Sequence, residues 1–240
     1  MGKLFVAGIG FPGLISPLAE SAVKNADLVV GYKPYIDEIE PMLTSAQERF
    51  SNGMRGETER AAYAVSAAIQ GRTVCIVCSG DPTLFGMAAL VYETAEGKGL
   101  DIEVLPSVSA AFAASSLLGA PITEDTVFLS MSDYLTPWGL IQKRVDAVNA
   151  GDFVCAVYNP WSQRRTTQLL YTLRRFREER GDLLTGTVRN AYRKGSQIYI
   201  STIDAFDMRT VDMSAVVIVG CTKTKLIDGK MITPRGYTLK

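Results

Sequence analysis

Over the first 120 residues, short apolar runs that end in glycine or a polar turn alternate with stretches of helical spacing. Leu4 to Ala7 is closed by Gly8-Ile9-Gly10, Asp27 to Val30 by Gly31, and Val74 to Cys78 by Ser79-Gly80-Asp81-Pro82. Between them, Ser16-Pro17 pairs an N-cap with proline at the first helical position, and Thr58 to Gln70 is a helix stopped by Gly71. Met87 to Glu93 and Ala110 to Leu118 also have helical spacing, and Ile102 to Leu105 is another strand. Buried strands alternating with helices predict a mostly parallel sheet covered on both faces. The pattern changes near Ala120-Pro121. Strands are expected at Val127–Met131, Asp152–Tyr158, Gly186–Asn190, Gln197–Thr202 and Ala215–Val219, with helices at Gln142–Asn149 and Arg164–Glu179. The pattern therefore predicts two α/β domains, 1–120 and 121–240, the second with a mixed sheet.

Lys+Arg and Asp+Glu are both 25, so the basic excess of a typical nucleic-acid binder is missing. No run is long and apolar enough for a membrane span, and the start reads as a strand rather than a signal peptide. The four cysteines are scattered, which fits a reducing, cytoplasmic setting without a disulfide framework. There is no histidine, so Ser-His-Asp and Cys-His catalysis are excluded and no metal centre is expected.

Several strand exits carry groups suited to ligands. Gly8-Ile9-Gly10-Phe11-Pro12-Gly13 fits the dinucleotide fingerprint G-x-G-x-x-G, but Pro12 removes a donor and no acidic residue marks the end of the next strand. Gly80 lets backbone approach a ligand, and Asp81 could accept from ribose hydroxyls or serve a turn. Cys75 and Cys78, three apart in a strand, face opposite sides and read as buried structural thiols. Ser130 to Trp138 gathers hydroxyls, Asp133, Tyr134 and an indole, a mix suited to a large flat ligand with polar edges. The same stretch also reads as a turn, with Thr136 capping a helix that begins at Pro137. Asn159 could position a ligand, while Arg164 or Arg165, and Arg189 beside Asn190, could pair with carboxylates or be surface charge.

In order along the chain, these segments resemble the tetrapyrrole methyltransferases, and within them the precorrin-3B (cobalt-precorrin-3) C17-methyltransferases. The matching stretches are Val30 to Ile36, Gly53-Met54 with Glu59-Arg60-Ala61, Ser79 to Pro82 with Gly86-Met87-Ala88, and Leu118 to Pro121. They continue through Leu129 to Trp138, Tyr158-Asn159-Pro160, Val188 to Ala191, Val211 to Met213, Val217 to Gly220 and Thr233 to Tyr237. The resemblance implies a two-domain tetrapyrrole methylase fold with the cofactor in the cleft between the domains, usually a homodimer. It also implies methylation at C17 by S-adenosylmethionine, giving S-adenosylhomocysteine, coupled to ring contraction of a cobalamin precursor. By position it assigns Gly80, Asp81, Leu84, Ser109, Ala110, Tyr158, Asn159, Asn190 and Ala191 to the cofactor. It borders the substrate with Gly10 and Pro12, whose loop is shorter than the family's G-x-G-P-G-D and lacks its acidic residue. The substrate's carboxylates would want Lys33, Arg164, Arg165 or Arg189. Many relatives carry a histidine where this chain has Glu124, so Glu124, Asp133 and Tyr134 are the groups available for the proton transfers of contraction. Competing readings are a paralogue with another substrate or with binding alone, suggested by the altered first loop, a diphthamide or RNA methyltransferase, and a nicotinamide oxidoreductase.

Overall fold

The computed structural model describes residues 2–238, and the chain divides into two compact units, Met1–Ala110 and Ala111–Lys240. This division falls at the start of a helix, ahead of the boundary expected near residue 120, and the outermost residues of both ranges lie outside the described residues.

The first unit runs β1 (Lys3–Gly10), α1 (Pro17–Asn25), β2 (Leu28–Tyr32), α2 (Lys33–Ile39), β3 (Glu48–Asn52), α3 (Glu57–Ile69), β4 (Val74–Ser79), α4 (Ala88–Ala95) and β5 (Asp101–Leu105). Its five strands form a wholly parallel sheet in the order β3-β2-β4-β1-β5. Leu4, Val6, Val30, Ile76 and Cys78 face α3 and α4 on one side. Ala7, Ile9, Val29, Cys75 and Val77 face α1 and α2 on the other. The helix leaving β1 therefore covers one face and the helix leaving β4 the other. Adjacent parallel strands whose connections part to opposite faces define a switch point, and a crevice opens outside their carboxyl ends. Here those ends are Gly8–Gly10 and Ser79–Gly80.

The second unit runs α5 (Ala110–Leu118, starting at the division), β6 (Gly119–Ala120), β7 (Thr126–Ser130), α6 (Trp138–Ala150), β8 (Val154–Tyr158), α7 (Gln168–Arg180), β9 (Leu184–Arg189), β10 (Gln197–Thr202), β11 (Ala215–Val219), β12 (Lys225–Ile227) and β13 (Lys230–Ile232). Its main sheet, β10-β9-β11-β8-β7, is mixed as expected: β7 and β8 are parallel and β11 is antiparallel to both β8 and β9. Two reversals make β9 run with β8, so the carboxyl ends of β7, β8 and β9 share one edge. Leu129, Val157, Val217 and Val219 meet α6 and α7 on one face. On the other face a Cβ at Gly186 would stand 2.6 Å from the Leu118 side chain, so α5 lies directly on β9.

Three expectations change. The helix expected from Arg164 begins at Gln168, because Ser162 and Arg165 exchange backbone hydrogen bonds at 3.0 Å in a tight loop first. The helix after the Ser130–Trp138 stretch starts at Trp138, with Pro137 rather than Thr136 at the cap. Pro137 has extended ψ (136°), which fits a cap and not a first helical residue. α2, β3 and the β12–β13 hairpin fall where no element was expected.

Candidate functional site

At the switch point the backbone itself forms the edge. Gly80 N–H donates to Gly10 O at 3.2 Å, bridging the two strand exits. A Cβ on Gly8 would lie 2.6 Å from Gly80 O and 2.7 Å from Ser107 Cβ, so no other residue fits there. Gly10, at φ +58°, would put a Cβ 2.6 Å from Ser107 Oγ. Gly80 differs: it is left-handed (φ +67°) but has ordinary room, its nearest neighbours standing at 3.7 Å. Gly13 faces open space and Pro12 is exposed. α1 starts only at Pro17 and is already capped by Ser16, whose Oγ accepts from Ala19 N–H at 3.2 Å. Gly8 and Gly10 of the fingerprint thus serve close packing of strand exits, not a pyrophosphate cradle at a helix start.

Asp81 ties this edge together. One oxygen accepts from Thr83 N–H at 2.8 Å and from the Thr83 hydroxyl, and the other from Ser107 N–H at 2.9 Å. Burial works to raise its pKa, but the Thr83 hydroxyl and the N–H groups of Ser107, Thr83 and Leu84 outweigh it and hold the carboxyl below its ordinary value. Asp81 is therefore ionised and fixes the loops after β4 and β5 in one arrangement. Ser107 Oγ is buried with no hydrogen-bond partner among the described residues, a polar atom for a ligand to answer. Ser109 is buried beside Gly80, and Leu84 is half-buried. Nothing in the sequence singles out Thr83 or Ser107.

In the second unit, side chains form the edge. Asn159 and Asn190, just past β8 and β9, are both left-handed (φ +49° and +48°), as is Tyr192 (φ +57°). Asparagine tolerates this region; tyrosine in it is strained. Asn159 Nδ2 donates to Ser130 Oγ at 3.0 Å, joining the ends of β7 and β8. Tyr158 OH accepts from Ala111 N–H at 2.8 Å, satisfying an open donor of α5, and Tyr192 OH meets Ser116 Oγ at 2.9 Å. Asp133 accepts from Gln168 Nε2 at 2.8 Å, while Tyr134 (70% exposed) and Leu135 (88% exposed) offer apolar surface at this edge. Ala191 is buried.

The remaining site residues are placed unevenly. Arg189, at the end of β9, pairs with Asp212 at 2.6 Å. Ser214's hydroxyl and N–H and Arg189 overcome burial to hold the Asp212 carboxyl low. Lys33 is exposed and pairs with Asp37 at 3.0 Å, and Arg164 is exposed at its loop tip. Glu124 precedes β7 and pairs with Lys223 at 3.1 Å. It lies at the amino-terminal end of that strand, about 17 Å from the carboxyl end that leads to Asp133 and Tyr134, by the rise of five residues. Asp133 and Tyr134, adjacent in sequence, lie past the carboxyl end of β7, and Glu124 lies at the opposite edge. Cys75, Cys78 and Cys155 are buried free thiols, and burial pushes Cys78 up to about 11 and Cys155 to about 12. Among the described residues there is no group of three or more His, Cys, Asp or Glu that could hold a metal, and no helix long and apolar enough to cross a membrane.

Residues 3–207 match the model of the tetrapyrrole (corrin/porphyrin) methylases. The chain is 42% identical, over all of its length, to the cobalamin biosynthesis protein CbiHC of Archaeoglobus fulgidus, and covers 54% of it, so it spans about half of that relative. It is 40% identical to a probable cobalt-factor III C(17)-methyltransferase of Salmonella typhimurium, covering 98% of this chain and 100% of that one. The crystal structure of the methyltransferase CobJ superposes with a TM-score of 0.92 at 32% identity, over 98% of this chain and 100% of the other.

Proposed function

The chain belongs to the tetrapyrrole (corrin/porphyrin) methylases, and from that premise we propose that it moves the methyl group of S-adenosylmethionine to carbon 17 of precorrin-3B or its cobalt-bearing counterpart in cobalamin biosynthesis, with ring contraction. The observation that carries the reading is the junction of the β1 and β4 exits, where Gly8 and Gly10 close-pack, Gly80 keeps room, and Ser107 Oγ lacks a partner among the described residues. Those features fit a polar nucleoside-type ligand held mainly by backbone. Gly80, Asp81, Leu84, Ser109 and Ala110 are proposed to contact the methyl donor, as are Tyr158, Asn159, Asn190 and Ala191.

When bound, the donor supplies an electrophilic methyl group on sulfur. The chain's own groups align and desolvate. In-line transfer to a nucleophilic ring carbon gains chiefly from orientation and from excluding water, so the absence of histidine is no obstacle to methylation. Asp81 serves by holding the β4 and β5 loops rigid. The exposed Tyr134 and Leu135 offer a flat apolar platform for a macrocycle. Gly10, Pro12, Lys33, Arg164 and Arg189 are proposed to border the substrate, and Asp133 and Tyr134 to handle protons during contraction. Glu124, paired with Lys223 at the other edge, is separable from them by mutation.

Incubation with methyl-labelled S-adenosylmethionine and cobalt-precorrin-3 tests the reading. Label at C17, located by NMR, is the expected result; an unlabelled macrocycle rejects it. A cytoplasmic homodimer completes the proposal, supported by the unpaired buried thiols and by the family resemblance. Light scattering in reducing buffer should give twice the 26.1 kDa chain mass.

A further inference from the structure

Among the described residues, three arginines have side chains withdrawn from water, and they differ in what answers the charge. Arg60, 4% exposed, pairs with Glu57 at 3.1 Å and donates to Gly53 O at 3.0 Å. Arg180 pairs with Asp152 at 3.3 Å and lies over the Phe176 ring at 4.3 Å. Arg165, 9% exposed, donates Nε to Asn159 O at 2.9 Å and Nη2 to Trp161 O at 3.5 Å, and no carboxylate of the described residues reaches ion-pair distance. Asp133 influences it only through space, and its own carboxylate is exposed and held by Gln168 Nε2 at 2.8 Å. A guanidinium cannot shed its proton at ordinary pH, so burying one against carbonyls alone costs stability.

The side chain is also held ready. Backbone hydrogen bonds between Ser162 and Arg165, both 3.0 Å, close the loop, and the two carbonyls fix the Nε side of the fork. Among the described residues nothing takes Nη1 or the second Nη2 proton. The loop follows directly on Asn159, at the carboxyl edge of β7, β8 and β9. Nothing about a structural brace requires a charge there, since a neutral donor would serve two carbonyls.

We propose that Arg165, not only its exposed neighbour Arg164, anchors a peripheral carboxylate of the substrate through the free edge of its guanidinium fork. The inference rests on the reading that the acceptor is a polycarboxylate macrocycle. A planar carboxylate matches the fork in a bidentate pair, and a preorganised arginine loses little freedom in forming it.

Steady-state methylation of cobalt-precorrin-3 by the whole chain tests this. Arg165→Met should raise KM for the macrocycle about 30-fold, as expected for a lost charge-assisted pair, while KM for S-adenosylmethionine stays within about twofold and kcat within about threefold. Arg165→Lys should recover part of the loss, and Arg174→Met, on exposed helix surface, should change nothing. An unchanged macrocycle KM in Arg165→Met overturns the inference. So does an equal rise in both KM values, which would make Arg165 a brace for the Asn159 loop. If Arg165→Met fails to fold, Arg165→Lys decides, because a mere brace would keep the wild-type macrocycle KM. A wild-type chain that leaves the macrocycle unmethylated overturns the functional reading itself, and this inference with it.

Discussion

The carboxyl edge of the parallel sheet and the carboxyl edge of the mixed sheet are built on opposite plans. In the first unit, Gly8, Gly10 and Gly80 bring main chain to the surface, and the one carboxylate there, Asp81, is spent on Thr83 and Ser107. In the second unit, Ser130, Asp133, Asn159 and Arg165 bring side chains, and Tyr134 and Leu135 stand out from the edge. Backbone groups are the same in any sequence, so the first plan suits a ligand shared by many relatives. Side chains are free to vary, so the second suits contacts that set one member apart, beside the donor contacts proposed for Tyr158, Asn159, Asn190 and Ala191. Rigidity follows the same division. A glycine edge in van der Waals contact has one arrangement, whereas exposed side chains adapt to a large flat partner.

The comparison can be broken most forcefully at Gly8. Gly8→Ala places a methyl group 2.6 Å from a backbone oxygen. It should cost about 3 kcal/mol, a fall in Tm of roughly 9 °C for a chain this size, in a thermal melt. Gly80→Ala, strained by φ but with room, should cost about 1–2 kcal/mol; equal losses at the two sites would refute the packing argument. Asp81→Asn should weaken S-adenosylhomocysteine binding about tenfold by calorimetry. Asp81's folded pKa lies below the ordinary 3.8, so its stabilisation is complete above that value and is lost as pH falls through the folded one. The stability gap between wild type and Asp81→Asn should therefore close in acid. Asn159→Ala should cost about 1 kcal/mol by chemical denaturation, and Asn159→Gly less, because the position is left-handed. Glu124→Gln should matter least. It loses one partly exposed ion pair, about 0.5 kcal/mol, with methyl transfer unchanged; a large loss of turnover would move the chemistry to the opposite edge.

Apolar runs made most of this fold legible, because β1, β2, β4, β8 and β11 are buried on both faces and their sequences say so. β3, Glu-Arg-Phe-Ser-Asn, is an edge strand with little burial and no such signal. α2 has only seven residues and opens on Lys33-Pro34, which reads equally as a turn. The β12–β13 hairpin was readable in principle: Asp228-Gly229 has positive φ at both positions (48° and 73°), the requirement of a tight I′ turn. Asn159, Asn190 and Gly80 were visible as strand exits. The side-chain pairings around them are not legible, because Asp81 with Ser107 and Asp133 with Gln168 are joined across 26 and 35 residues by folding alone. Glu124 and Asp133 illustrate the converse. They are close in sequence, yet β7 carries them to opposite edges of one sheet.

Backbone amide hydrogen exchange with and without S-adenosylhomocysteine tests most directly whether the carboxyl edges bind the methyl donor. Added protection is expected at residues 80–84 and 107–110 in the first unit and at 158–159 and 190–191 in the second. Protection confined to the Glu124–Lys223 edge, or to the outer faces of α6 and α7, would contradict it.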